Sequence, residues 1–157
     1  MISFGKFPYH GAGNTVFTGT LNYSTTSGWA TVTGSTINIT TKGNLVKLGA
    51  QGNGVGQGEW RIENFVGQTT TIGQIRIIRD GSIVINYSNL GIQLDTAATA
   101  LRVFRYPLGI INCLDLPPAG PHTYIIQLNI ASGVGRIALA SGLFSAVELI
   151  LDSVELT

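Results

Sequence analysis

The chain has 157 residues, 44% of them apolar and only 11% charged, with a mean hydropathy of +0.30 and a net charge of +1. That length suits one domain burying ~70% of the surface its unfolded chain exposes, and the near-zero charge excludes a broad basic field for nucleic acid or acidic lipid. No run approaches the roughly 18 apolar residues of a membrane span, and the opening MISFGKFPYHGAG lacks the apolar core of a secretory signal. Ordinary soluble domains carry about 25% charged residues. An exterior this poor in charge is covered by Thr, Ser, Asn and Gln, or lies in subunit interfaces. The composition favours interfaces, supplemented by a polar, uncharged solvent face.

Twenty-one glycines recur along the whole length, with Thr, Val and Ile dominating between them. This pattern predicts many short strands joined by turns, hence a sandwich or barrel. Residues 1–16 interleave Phe4, Phe7, Tyr9 and His10 with glycines, without strict alternation. They read either as a first strand or as an extended arm whose aromatics anchor on a neighbouring protein. From Trp29 to Ala50, Ile37 and Ile39 alternate with Asn38 and Thr40, and Lys42-Gly43-Asn44 turns the chain into Leu45–Leu48. Gln51–Gln57, QGNGVGQ, is a surface loop without the spacing of a phosphate cradle. No repeat with a period of a few tens of residues is visible, which excludes a propeller or solenoid.

In GQIRIIRDGSIVINY (73–87), Asp80-Gly81 between two β-rich runs predicts a hairpin. A two-residue turn would pair Arg79 with Ser82 and Ile78 with Ile83. Ile78, Ile83, Ile85 and Tyr87 would then share one face, and Ile75, Ile77 and Val84 the other. Two apolar faces suggest burial against a neighbouring subunit, since an antiparallel sheet normally wets one side. Leu101–Tyr106 reads as a further strand. In the C-terminal run, Tyr124, Ile126, Leu128 and Ile130 alternate cleanly with Ile125, Gln127 and Asn129. A glycine-punctuated connection then leads to a final apolar strand containing Val147, Glu148 and Leu149.

Three stretches resemble the bacterial and phage branch of the jelly-roll superfamily that includes tumour necrosis factor and the complement globular heads. They are TSGWATVTGSTINITTKGNLVKLGA, IRIIRDGSIV, and PPAGPHTYIIQLNIASGVGRI with FSAVEL. The similarity extends from about Thr18 to Glu155. It implies an all-β, antiparallel jelly-roll β-sandwich over residues 17–157, with about ten strands, packed as a homotrimer around apolar strand faces. The chain shows no collagen-like or coiled-coil stalk ahead of the head, which favours a protein seated directly on a larger surface.

Chemistry-bearing patterns are scarce. His10 and His122 have no neighbour at metal-ligand spacing, and one cysteine makes no thiolate cluster, so no metal and no cofactor are expected. Cys113 cannot form an intrachain disulfide and reads as a buried small hydrophobe. His122 follows the rigid Pro117-Pro118-Ala119-Gly120-Pro121 turn and is expected to cap a loop, and Asp80 is explained by its turn. Glu148, flanked by Val147 and Leu149, could pair with Arg136 or Arg102 at a subunit contact. No paired-carboxylate context and no Gly-x-Ser-x-Gly elbow exists, so catalysis is not expected. Trp29, Trp60 and the tyrosines read mainly as core or interface, with a glycan-binding surface as the other possibility.

The expectation is therefore a virion structural protein, a homotrimer that decorates and cements a phage capsid by binding the major capsid protein or another virion protein. The seam falls on Ile78, Ile83, Ile85, Tyr87, Tyr124, Ile126, Leu128, Val147 and Leu149, and the partner contact on Phe4, Phe7, Tyr9 and His10. The alternative is a receptor- or glycan-binding tip on a tail fibre or surface appendage.

Overall fold

The computed structural model describes residues 9–17, 21–22, 28–51, 59–107, 112–139 and 142–149. All regular structure in them is β. The strands are β1 (Tyr9–Phe17), β2 (Leu21–Asn22), β3 (Ala30–Thr31), β4 (Ile37–Lys42), β5 (Val46–Gln51), β6 (Glu59–Asn64) and β7 (Thr70–Arg79). There follow β8 (Ile83–Gln93), β9 (Arg102–Pro107), β10 (Asn112–Asp115), β11 (Ala119–Gly133), β12 (Gly135–Leu139) and β13 (Gly142–Leu149).

Two sheets form the body. One runs β1-β13-β5-β10; in the other, β11 pairs with β3 and β4 on one side and with β7 on the other, and β7 pairs with β8. All pairings are antiparallel. Taking β1, β4, β5, β7, β8, β10, β11 and β13 as principal strands one to eight gives the orders 1-8-3-6 and 2-7-4-5. That is the double Greek key of a jelly roll, as expected from the sequence. A third sheet, β2-β12-β6-β9, flanks the body.

The core follows from two-residue alternation. β4 buries Ile37, Ile39 and Thr41; β11 buries Tyr124, Ile126, Leu128 and Ile130; β13 buries Phe144, Ala146 and Glu148. Ile75, Ile77, Leu90 and Ile92 complete the inner face of the second sheet, opposite Val46, Leu48, Ala50 and Phe144 of the first. Trp60, Ile62 and Ile137 join the same cluster from the third sheet. Each large aliphatic side chain withdrawn from water contributes about 1.5–3 kcal/mol before entropy is counted. Gly73 lets the third sheet close in, because a Cβ there would lie 2.7 Å from the Ile62 Cδ1 and 2.9 Å from the Ile137 Cδ1.

The β7–β8 hairpin departs from the sequence expectation. Arg79 pairs with Ile83 and Ile78 with Val84, so the loop has three residues, Asp80-Gly81-Ser82, with Asp80 at φ 51° and Gly81 at φ 79°. The Ser82 N–H donates to the Arg79 carbonyl at 3.2 Å. A bulge then places Ile85 outside the ladder, since Ile77 pairs with Asn86. An extra residue reverses which face each later side chain takes.

Candidate functional site

The first site to test is the expected trimer seam. Ile78, Tyr124, Ile126 and Leu128 are at most 2% exposed and lie inside the single chain. They are not available to a neighbour: the alternation in β11 is real, but the opposing sheet of the same chain covers its apolar face. Ile83 and Tyr87 are exposed, Ile85 is half-buried against the core, and Val147 and Leu149 are half-buried. Of the expected partner contacts, Phe4 and Phe7 lie outside the described residues. Tyr9 and His10 open β1, where Tyr9 pairs with Leu149. Residues 9–16 thus belong to a sheet, and the QGNGVGQ loop lies outside the described residues beyond Gln51.

Glu148 is fully buried and does not meet Arg136 or Arg102. Its Oε1 accepts from the Lys42 N–H at 2.7 Å, the Asn44 N–H at 3.2 Å and the Asn44 Nδ2 at 3.2 Å, pinning the β4–β5 turn. Arg136 instead donates to Glu63. The signal was in the sequence, because Glu148 shares the parity of Phe144 and Ala146.

A polar cluster closes one end of the sandwich. Arg79 continues the inward parity of Ile75 and Ile77, and there its Nη1 donates to Asp115 Oδ2 at 2.6 Å while the Tyr124 hydroxyl donates to the same oxygen at 2.7 Å. Burial opposes the Arg79 charge, but the Asp115 carboxylate outweighs it and raises its pKa. Burial, then the bond to Asp115, raise that of Tyr124. Beside them, Asp80 accepts from the Thr123 N–H at 2.9 Å, and its other oxygen lies 2.8 Å from His122 Nδ1. His122 Nε2 lies 2.8 Å from the Pro118 carbonyl. Two acceptors on two ring nitrogens require the imidazolium. Burial pulls the His122 pKa down, but the bonds to Asp80 and Pro118 and the Asp80 charge overcome it and raise the value. For Asp80, burial is outweighed by the Thr123 N–H and by His122, so its pKa falls. His122 does cap the proline-rich turn, and it does so by tying that turn to the hairpin tip. A shallow concavity of about 450 Å³ runs alongside, lined by Asn38–Thr40 and Pro121–Thr123.

This cluster offers fixed charges and bound protons. Burial, then the charge of Asp115, push the half-buried Cys113 thiol up to about 11, which removes thiolate character at neutral pH. Among the described residues, no group of three or more His, Cys, Asp or Glu is arranged to hold a metal ion.

A second constellation lies on the outer face of the β3-β11-β7-β8 sheet. The Arg76 guanidinium stacks 4.0 Å above the Trp29 ring, and Trp29 meets Tyr87 edge-on at 5.9 Å. Arg76 Nε donates to Gln127 Oε1 at 2.8 Å, and Gln127 Nε2 donates to Thr31 Oγ1 at 3.3 Å. Gln74 Nε2 donates to the Tyr87 hydroxyl and to Asn89 Oδ1, while its Oε1 accepts from Asn129 Nδ2 at 2.9 Å. Sequence reasoning named Trp29 and Tyr87 but did not join them to these amides, which are scattered over three strands.

No known protein family and no curated protein matches the chain. Among solved structures it is similar to the Eiger tumour necrosis factor of S. frugiperda, at 10% identity and a TM-score of 0.41, covering 96% of this chain and 98% of that one. It is also similar to the infectious bursal disease virus Gx strain structure, at 12% identity and a TM-score of 0.34, covering 88% of this chain. The VP2 subviral particle of that virus gives 11% identity and a TM-score of 0.35. This chain spans 32% of each viral chain's length. At these scores the likenesses carry no argument for family or function.

Proposed function

We propose that the chain is a non-enzymatic structural module of a virion, a homotrimer that decorates a capsid and stabilises it by bridging neighbouring subunits. One observation carries the self-association. The three sheets end on β8, β9 and β10, three consecutive strands, and exposed apolar side chains gather on or beside them. Ile83 and Val84 open β8, Val103 and Phe104 lie in β9, and Leu114 and Leu116 lie in and just after β10. Leu114 and Leu116 are 57% and 66% exposed. The core is already filled, so these side chains are not needed inside. Apolar strands at sheet edges are a hazard in a monomer and a seam in an oligomer. The seam thus moves from the faces expected from sequence to the edges, keeping Ile83 from the original set. The low charge of the exterior fits the same reading, and the sequence resemblance supplies the capsid.

Light scattering across a dilution series tests the proposal. A trimer that persists in the wild type and collapses to monomer in a Phe104→Glu, Leu114→Glu double variant supports it. A wild-type monomer, or a double variant that stays trimeric, overturns the seam. Cosedimentation with undecorated capsids tests the partner. For Phe4 and Phe7, the informative truncation ends at Pro8, because removing residues 9–16 would take away β1.

A further inference from the structure

We propose that the outer face of the β3-β11-β7-β8 sheet binds a neutral oligosaccharide. Two adjacent rungs form the surface. Tyr87, Arg76, Gln127 and Thr31 are cross-strand partners on one, and Asn89, Gln74 and Asn129 on the next. Neither rung holds an Asp, Glu or Lys. Amides, a hydroxyl and two aromatic rings stand where a solvent face usually carries charge, and the one cation, Arg76, is already engaged by the Trp29 ring and Gln127. An anionic ligand would find little to neutralise it. Vicinal hydroxyls of a sugar match paired amide donors and acceptors, and the C–H face of a pyranose matches an aromatic ring.

The site is held ready before any ligand arrives. Gln74 is fixed through Tyr87, Asn89 and Asn129, and Gln127 through Arg76 and Thr31. Side chains ordered in advance lose less entropy on binding. Polar capacity is still left over. The Asn129 side-chain Oδ1 and the Asn89 side-chain Nδ2 have no hydrogen-bond partner among the described residues, their other side-chain atoms being engaged by Gln74. Tyr87, 48% exposed, supplies free ring area, and Trp29 is clamped beside it by Arg76. Tyr87 and Asn89 share β8 with the seam residues Ile83 and Val84, but their side chains meet Gln74 and Trp29 on the outer face of the sheet, whereas Ile83 and Val84 open the strand beside the hairpin tip.

Cellohexaose, maltohexaose and hexa-N-acetylchitohexaose titrated into the isotope-labelled protein test the site by nuclear magnetic resonance. Saturable shifts of the side-chain amides of Gln74, Gln127, Asn89 and Asn129 with at least one hexaose, weakened roughly tenfold or more in Tyr87→Ala and in Trp29→Ala, support it. Gln127→Ala should weaken binding while leaving the melting temperature near that of the wild type, and it decides the matter if Trp29→Ala fails to fold. Silence with all three sugars at millimolar concentration overturns the proposal. So does binding that survives Tyr87→Ala and Gln127→Ala, or a trimer mass lost in Tyr87→Ala, which would make the face a subunit contact. The Phe104→Glu, Leu114→Glu variant should bind the sugar unchanged, separating this failure from that of the seam.

Discussion

His122 and Asp80 lock the proline-rich turn onto the β7–β8 hairpin tip, with Nδ1 of one 2.8 Å from Oδ2 of the other. Because the folded state raises the His122 pKa above 6.5, the stabilisation is complete below that value and is lost as pH rises through the folded pKa. Asp80, lowered from 3.8, contributes above that value and loses its contribution as pH falls through the folded pKa. Arg79, 3.7 Å from Asp80, opposes the His122 proton but does not reverse the shift. Thermal unfolding followed from about pH 4 to 9 should peak on the mildly acidic side of neutrality. A His122→Ala variant should lose the decline on the alkaline side. An unchanged profile in that variant would assign the pH dependence elsewhere.

Glu148→Ala should lower the unfolding free energy by about 2 kcal/mol, because it removes the fully buried carboxylate that accepts from the part-buried Lys42 and Asn44 N–H groups. Glu148→Gln keeps the Oε1 acceptor and should cost less. Urea denaturation of the two variants side by side measures the difference, and equal losses would show that the turn does not depend on that oxygen.

Core and seam substitutions should separate cleanly. Leu128→Ala, in a fully buried position, should cost about 3 kcal/mol with the solution mass unchanged. Val84→Asp, at a 48% exposed position beside the hairpin tip, should reduce the mass while changing the stability of the dissociated chain little. Paired melting and light-scattering measurements check both, and the opposite pattern would return the seam to β11.

Gly133 ends β11 at φ 80°, and a Cβ there would sit 1.8 Å from the Thr70 carbonyl oxygen. Gly133→Ala should therefore destabilise the protein by ~3 kcal/mol or more, since both the backbone conformation and the space are denied to a side chain. Its denaturation midpoint gives the value; a near-wild-type midpoint would mean that β7 and β11 can move apart at this end.

What the sequence made legible followed from period and turn chemistry. The alternation of Tyr124–Ile130, the Asp80-Gly81 turn and the Ile37/Ile39 pair located β11, the hairpin and β4, and the sandwich followed. Three things were hidden. A three-residue loop and a two-residue loop look alike around Asp80-Gly81, and the bulge at Ile85 changes side-chain parity without changing composition. Alternation also marks Ile126 and Leu128 as covered without saying by what, so an intrachain sheet was mistaken for a neighbouring subunit. The Arg79–Asp115–Tyr124 cluster needs strands far apart in sequence, yet a charged Arg79 on the apolar side of β7 already called for a buried partner.

β1 is paired along its length with β13, the last described strand. During synthesis, β1 must therefore wait until β13, far along the sequence, has been made before its hydrogen-bonding partner exists. The β1-β13-β5-β10 sheet cannot be completed before then, whereas the β7–β8 hairpin can form early. The slow step in folding should be this final stitching of distant ends, and the same step commits the molecule to one arrangement.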